Sequence, residues 1–150
     1  MAHKFPHHFK IEDIDLKSLI IIGEGKDRIA YKFEDFVIKV CKNGISQNKN
    51  EWILWDKKHL SKKSIYLSSI LNPCHYVSED YRYLMADFCE PIYNSANKDI
   101  KLVEIYQKYN FLYDYRQEKH WGINFENKSI RLIDYGHPAN VLKLLGAEYL

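Results

Sequence analysis

Two glycines, set two residues apart between an apolar run and an alternating one, constrain this chain more than any other feature. Leu19 to Ile22 is apolar and runs into Gly23-Glu24-Gly25. A second apolar-polar alternation follows, and then Phe36-Val37-Ile38-Lys39-Val40. Short alternating runs broken by turn residues read as strands joined by tight connections, so Leu19 to Val40 is a three-strand meander. Glycine lets backbone N–H groups come close to a phosphate. Lys39 adds a cation on a rigid strand. Val37 and Lys39 share one face, opposite Ile38 and Val40. An ammonium group among β-branched apolar residues needs a partner.

The rest of the chain extends this pattern. Ile11 to Leu19 is an acidic-apolar mixture, a short helix or a lead-in strand. Asn43-Gly44 is a turn signal. From Gln47 to about His59, Trp52, Ile53 and Trp55, with Leu60 beyond, fall at helical spacing. Trp52 and Trp55 are expected to anchor that helix on the sheet. Ser64 to Ile70 is apolar but short, and fits either period. His75 to Val77 and Tyr81 to Met85 flank Ser78-Glu79-Asp80 as a hairpin, and Pro91 starts a connector. Lys98 to about Tyr115 carries a helical face of Leu102, Val103, Ile105, Tyr106, Tyr109 and Leu112. Ile123 to Phe125 and Ile130 to Ile133 form a second hairpin around Glu126-Asn127-Lys128. Ala139 to Leu145 reads as a terminal helix with Pro138 near its start.

With 150 residues, this reads as one domain, 1–150, large enough for a real core. A net charge of +2 makes no case for nucleic acid or a membrane surface. No apolar run approaches a membrane span, and the first residues lack the apolar core of a signal peptide. Cys41, Cys74 and Cys89 are odd in number and widely spaced, forming neither a disulfide framework nor a metal pattern. A reducing, cytoplasmic setting is the default for such a chain. His3, His7 and His8 read as a solvated tail and receive no chemistry.

Far downstream, Ile130 to Gly136 reads IRLIDYG, a strand ending in Asp134-Tyr135-Gly136. With Gly23, Gly25 and Lys39 in FVIKV, the order and spacing resemble the nucleotide-binding half of the protein kinase-like superfamily. The likeness runs from about Leu19 to Pro138 and is to minimal bacterial or phage-type relatives. It implies an α+β fold: a kinase-like N-lobe of about residues 11–90, a five-stranded antiparallel sheet with one helix. A truncated, mostly helical C-lobe of about residues 91–150 would follow.

The resemblance assigns roles residue by residue. Gly23 and Gly25 match the first two glycines of the glycine-rich loop; Arg28 stands where the third would be, and Ala30 where the valine would be. Lys39 would hold nucleotide phosphates, oriented by Glu51 on the following helix. Adenine would be read by backbone groups near Asp87 to Cys89, the hinge position. Asp134 would hold Mg²⁺ between phosphates. His120 takes the place of the metal-binding asparagine, ahead of Trp121-Gly122, with Asn124 as its rival. Asp114 is the nearest candidate for the catalytic aspartate, one residue out of register. ATP and Mg²⁺ are the implied cofactors.

The same residues admit ordinary readings. Glycines at 23 and 25 suit a hairpin turn. Lys39 suits a solvated edge strand, and Glu51 the first turn of a helix. Asp134 and Asp114 suit turns. Fourteen residues follow Gly136 in this sequence, too few for the family's protein-substrate platform, which is therefore not expected within it. Three functions follow: a minimal kinase-like protein that binds ATP and transfers phosphate to a protein or small molecule; an inactive kinase-like module that inhibits or regulates a partner; and an unrelated α+β domain. A shortened C-lobe would expose apolar surface and favour a protein partner or self-association.

Overall fold

The computed structural model describes residues 10–92, 104–109 and 117–145, with backbone alone at 12, 118 and 143–145. Asp114 and the three N-terminal histidines lie outside the described residues, as does most of the helix expected over 98–115. The architecture is α+β, with a five-stranded antiparallel sheet and four helices among the described residues.

The meander appears as β1 (Ile20–Glu24), β2 (Arg28–Phe33) and β3 (Phe36–Cys41). The β2–β3 turn uses Glu34 at φ 53°, a left-handed residue that closes the hairpin tightly. Helix α1 (Ser46–Lys57) follows, then α2 (Ser64–Ile70), β4 (Cys74–Val77) and β5 (Tyr83–Asp87). The strands lie in the order β1-β2-β3-β5-β4, so β3 sits at the centre. Its register sets Lys39 opposite Ala30 on β2 and opposite Leu84 on β5. Cross-strand partners share a face. Lys39 and Leu84 therefore face α1, where Leu84 joins Leu54, Leu67 and Trp121 in the main core. Ile38 and Met85 face the other way and meet Ile11, Phe36 and Val40 in a second core.

That second core explains the N-terminal segment. It forms two single-turn 3-10 helices, Ile11–Asp13 and Leu16–Ser18, the helical of the two expected forms rather than a lead-in strand. Ile11 is buried against the back of the sheet, and burial of such a side chain contributes about 1.5–3 kcal/mol. The outer strand β1 is less protected, since Ile20, Ile21 and Ile22 are all exposed.

Helix α1 begins where expected, but its buried stripe is Asn48, Glu51 and Leu54. Trp52 and Trp55 are only partly buried beside the main core. The i, i+3, i+6 spacing of the stripe is helical, but two of its three members are polar. This is why the apolar pattern pointed to the tryptophans.

A smaller sheet follows, made of β6 (Cys89–Pro91), β7 (Trp121–Asn124) and β8 (Ile130–Leu132), in the order β6-β7-β8. Pro91 thus ends the short strand β6 rather than β5, and the connector expected after it lies outside the described residues. Gly122 is required here by packing: a Cβ would come within 2.7 Å of Cys89 Cβ and 3.0 Å of the Glu90 carbonyl oxygen. Residues 104–108 form α3, and Pro138–Leu145 forms α4, which packs on α1.

Asn72 joins the two sheets. Its N–H donates to the Leu132 carbonyl, and its side-chain amide donates to the Asp87 carbonyl. Its side-chain oxygen accepts from Cys89 Sγ and Asn124 Nδ2, and its carbonyl accepts from the Tyr135 hydroxyl. Leu71, just before it, forms a parallel bridge to Leu132. These bonds hold the end of β8 against the sheet, and so fix where residues 133–136 emerge.

Candidate functional site

The register of β2 and β3 brings two cations to one face. Lys39 points at α1, and Arg28, two residues before its neighbour Ala30, points the same way. Between them lies Glu51, with no exposure to solvent. Lys39 Nζ donates to Glu51 Oε2 at 2.8 Å, so the pair expected from sequence is formed. Lys39 also donates to the Ile133 carbonyl. Arg28 binds the same carboxylate in a fork, Nη1 to Oε2 at 2.9 Å and Nη2 to Oε1 at 3.3 Å. The Tyr135 backbone N–H reaches Oε1 at 3.0 Å. Glu51 therefore ties β2, β3 and the Asp134-Tyr135-Gly136 turn to α1.

The electrostatics follow from this geometry. Burial alone would raise the Glu51 pKa, but Arg28 and then Lys39 outweigh it and hold the carboxyl at about 2, below its ordinary 4.5. Burial likewise opposes the Arg28 charge, and the Glu51 and Asp134 carboxylates overcome it and raise its pKa.

Arg28 reaches further. Nη1 also donates to Asn48 Oδ1 at 3.0 Å, and Nη2 donates to Asp134 Oδ1 at 2.8 Å. The second Asp134 oxygen lies 3.5 Å from His120 Nε2. The two residues read as metal ligands are thus neighbours, but one oxygen of the carboxylate already accepts from Arg28 and the other lies beside a ring nitrogen. Mg²⁺ takes oxygen ligands at about 2.1 Å in a near-octahedral shell. A guanidinium-paired carboxylate beside an imidazole does not fit that ion as it stands. Among the described residues, no group of three His, Cys, Asp or Glu side chains could hold a metal. Asn124, the rival to His120, is elsewhere: its amide donates to Asp87 Oδ2 at 2.9 Å and to Asn72 Oδ1 at 3.2 Å.

The segment expected to read adenine, Asp87 to Cys89, is also committed internally. The Asp87 N–H donates to the Pro73 carbonyl, and the Phe88 N–H to the Asp35 carbonyl. The Phe88 carbonyl accepts from the Phe125 N–H at 3.2 Å. Asp87 is buried, with its carboxylate 2.6 Å from His75 Nε2. Cys89 pairs with Asn124 across β6 and β7. The Asp87 and Phe88 donors read as adenine contacts thus have protein acceptors, because this segment forms the junction between the sheets.

The glycines divide into two kinds. Gly136 is packed so tightly that a Cβ there would overlap the Gln47 carbonyl oxygen at the start of α1. Gly23 has only Ala30 Cβ at 3.9 Å, an ordinary contact, and Gly25 has nothing within 4 Å. Neither has a positive φ. The folded chain does not itself demand glycine at 23 or 25.

Arg28 is the member of this cluster to which the sequence alone assigned no role. Compared with a glycine motif, it was a departure. It stands on β2, and only the pairing of β2 with β3 sets it on the Lys39 face. No protein-family model matches the chain, and no curated protein matches it.

Proposed function

We propose that this chain is a minimal kinase-like module that binds a nucleotide, ATP in the first instance, in the cleft bounded by Gly23, Gly25, Lys39 and Asp134. The observation that carries the reading is the Lys39–Glu51 pair, 2.8 Å apart, between the central strand and the first helix, with Asp134 reached through Arg28. A lysine so oriented on a rigid strand suits polyphosphate recognition. The open space around Gly25 supports it, since glycine there admits close approach by an outside group. Transfer of phosphate to a protein or small molecule is the activity such a cleft would host, with Asp114 accepting the hydroxyl proton.

A second reading is favoured by one observation. Arg28 pairs with Asp134, and the Asp87 and Phe88 N–H groups are engaged within the protein. Those features suit an inactive kinase-like module that inhibits or regulates a protein partner.

Thermal unfolding with and without ATP separates the two. Nucleotide at a hundredfold excess over its Kd should raise stability by about 2.7 kcal/mol. Gly25→Ala should leave the unliganded protein within about 0.5 kcal/mol of wild type, since nothing crowds that position. It should nonetheless shrink the ATP shift at a fixed concentration. An unchanged melting temperature at millimolar ATP would favour the regulatory module. A large loss of unliganded stability in Gly25→Ala would return that glycine to a purely folding role.

A further inference from the structure

We propose that Arg28 takes the electrostatic place of a divalent cation at Asp134, so that the cleft takes a nucleoside triphosphate without metal. This rests on the nucleotide-binding reading above. A metal-holding aspartate must present open oxygens to the ion. Here Asp134 Oδ1 accepts from Arg28 Nη2 at 2.8 Å, and Oδ2 faces His120 Nε2 at 3.5 Å. The guanidinium is not a loosely placed surface group. It stands on β2 and is 10 % exposed, and its Nη1 and Nη2 groups are divided among Asn48, Glu51 and Asp134.

The charges define what this cluster can accept. Arg28 and Lys39 together balance Glu51 and Asp134. A dication placed at Asp134 would lie against the fixed guanidinium, and their repulsion opposes its entry. A polyphosphate meets a different surface. Lys39 has three donors, and two are directed to Glu51 and the Ile133 carbonyl, which leaves one for a phosphate oxygen. Asp134 is 40 % exposed and is the carboxylate nearest to solvent in the cluster, so its remaining charge is what an incoming polyanion would feel.

This arrangement reverses the sign of one substitution. Where aspartate holds a metal, Asp134→Asn removes the metal's anchor and weakens nucleotide binding. Where arginine replaces the metal, the same change removes a repelling charge from the solvent-facing side of the cluster, while Arg28 stays held by Asn48 and Glu51.

The test is calorimetric titration and thermal unfolding of the full chain with ATP, once in excess EDTA and once in MgCl₂. Equal affinity in both conditions is expected. Asp134→Asn should bind ATP in EDTA several-fold more tightly than wild type. Arg28→Gly, which restores a glycine and frees the carboxylate, should bind ATP more tightly in MgCl₂ than in EDTA. Wild-type binding that appears only with MgCl₂ overturns the inference and leaves the nucleotide reading standing. Weaker binding by Asp134→Asn in EDTA also overturns it, and that variant keeps the test alive if Arg28→Gly does not fold. Absence of binding in both conditions overturns the nucleotide reading itself.

Discussion

Glu51→Gln is expected to cost about 3–5 kcal/mol of folding stability, a fall of roughly 10 °C or more in Tm. The substitution keeps the shape of the side chain and removes its charge. Two buried cations would then face a neutral amide, because Lys39 and Arg28 both hold this carboxylate within 3 Å. Breaking a buried pair from one side is costly because the remaining charge stays in a poorly solvating place. Lys39→Met should cost less, since Arg28 still compensates Glu51 in that variant. Urea unfolding of both variants measures the difference. A Glu51→Gln cost below about 1 kcal/mol would mean that the cluster is hydrated in solution.

The same residue sets an acid limit. Its folded pKa, about 2, lies below the ordinary 4.5. The folded state therefore binds the proton less tightly than the unfolded state. The stabilisation is fully present above pH 4.5 and is lost as pH falls toward 2. At 1.36 kcal/mol per unit, this amounts to something on the order of 3 kcal/mol. Subtracting the Glu51→Gln profile from wild type isolates it from the other carboxylates. A flat difference between pH 2 and pH 5 would contradict the assignment.

Gly136→Ala is the second large effect, about 3 kcal/mol, at the upper end of overpacking penalties. The added methyl would overlap the Gln47 carbonyl oxygen, with the Gln47 carbonyl carbon only 3.1 Å away. Backbone atoms at the start of a helix cannot swing aside as a side-chain tip can. The helix end or the Asp134-Tyr135 turn must shift, and either movement disturbs the Tyr135 N–H bond to Glu51. The expected signature is a lower urea midpoint together with a weaker acid limb. Wild-type stability in Gly136→Ala would show that the turn has room to relax.

What could be read from the sequence, and what could not, has a physical pattern. The meander and the hairpins were legible because alternation and turn residues are local. Lys39 was legible because a charge among β-branched neighbours demands an explanation, and Glu51 was the nearest acid on the next helix. Arg28 required counting strand faces across a register that only pairing establishes. Nothing local marks Asn72, which stands just before Pro73. Its role comes from Leu132, Asp87, Cys89, Asn124 and Tyr135, which lie far apart in the chain. Helix α2 was ambiguous because seven residues cannot distinguish one period from the other. Gly136 matched a motif, but the reason glycine is needed lies in Gln47, 89 positions earlier.

The buried thiols supply a clock for local opening. Burial pushes both Cys74 and Cys89 up to about 12. Near neutral pH these sulfurs stay protonated, and only the thiolate attacks an alkylating reagent. Cys74 lies against the Tyr135 hydroxyl and Cys89 against Asn72, at the seam between the two sheets. Modification by iodoacetamide therefore has to wait until that seam parts. Its rate, followed residue by residue by mass spectrometry, reads how often the sheets separate without global unfolding.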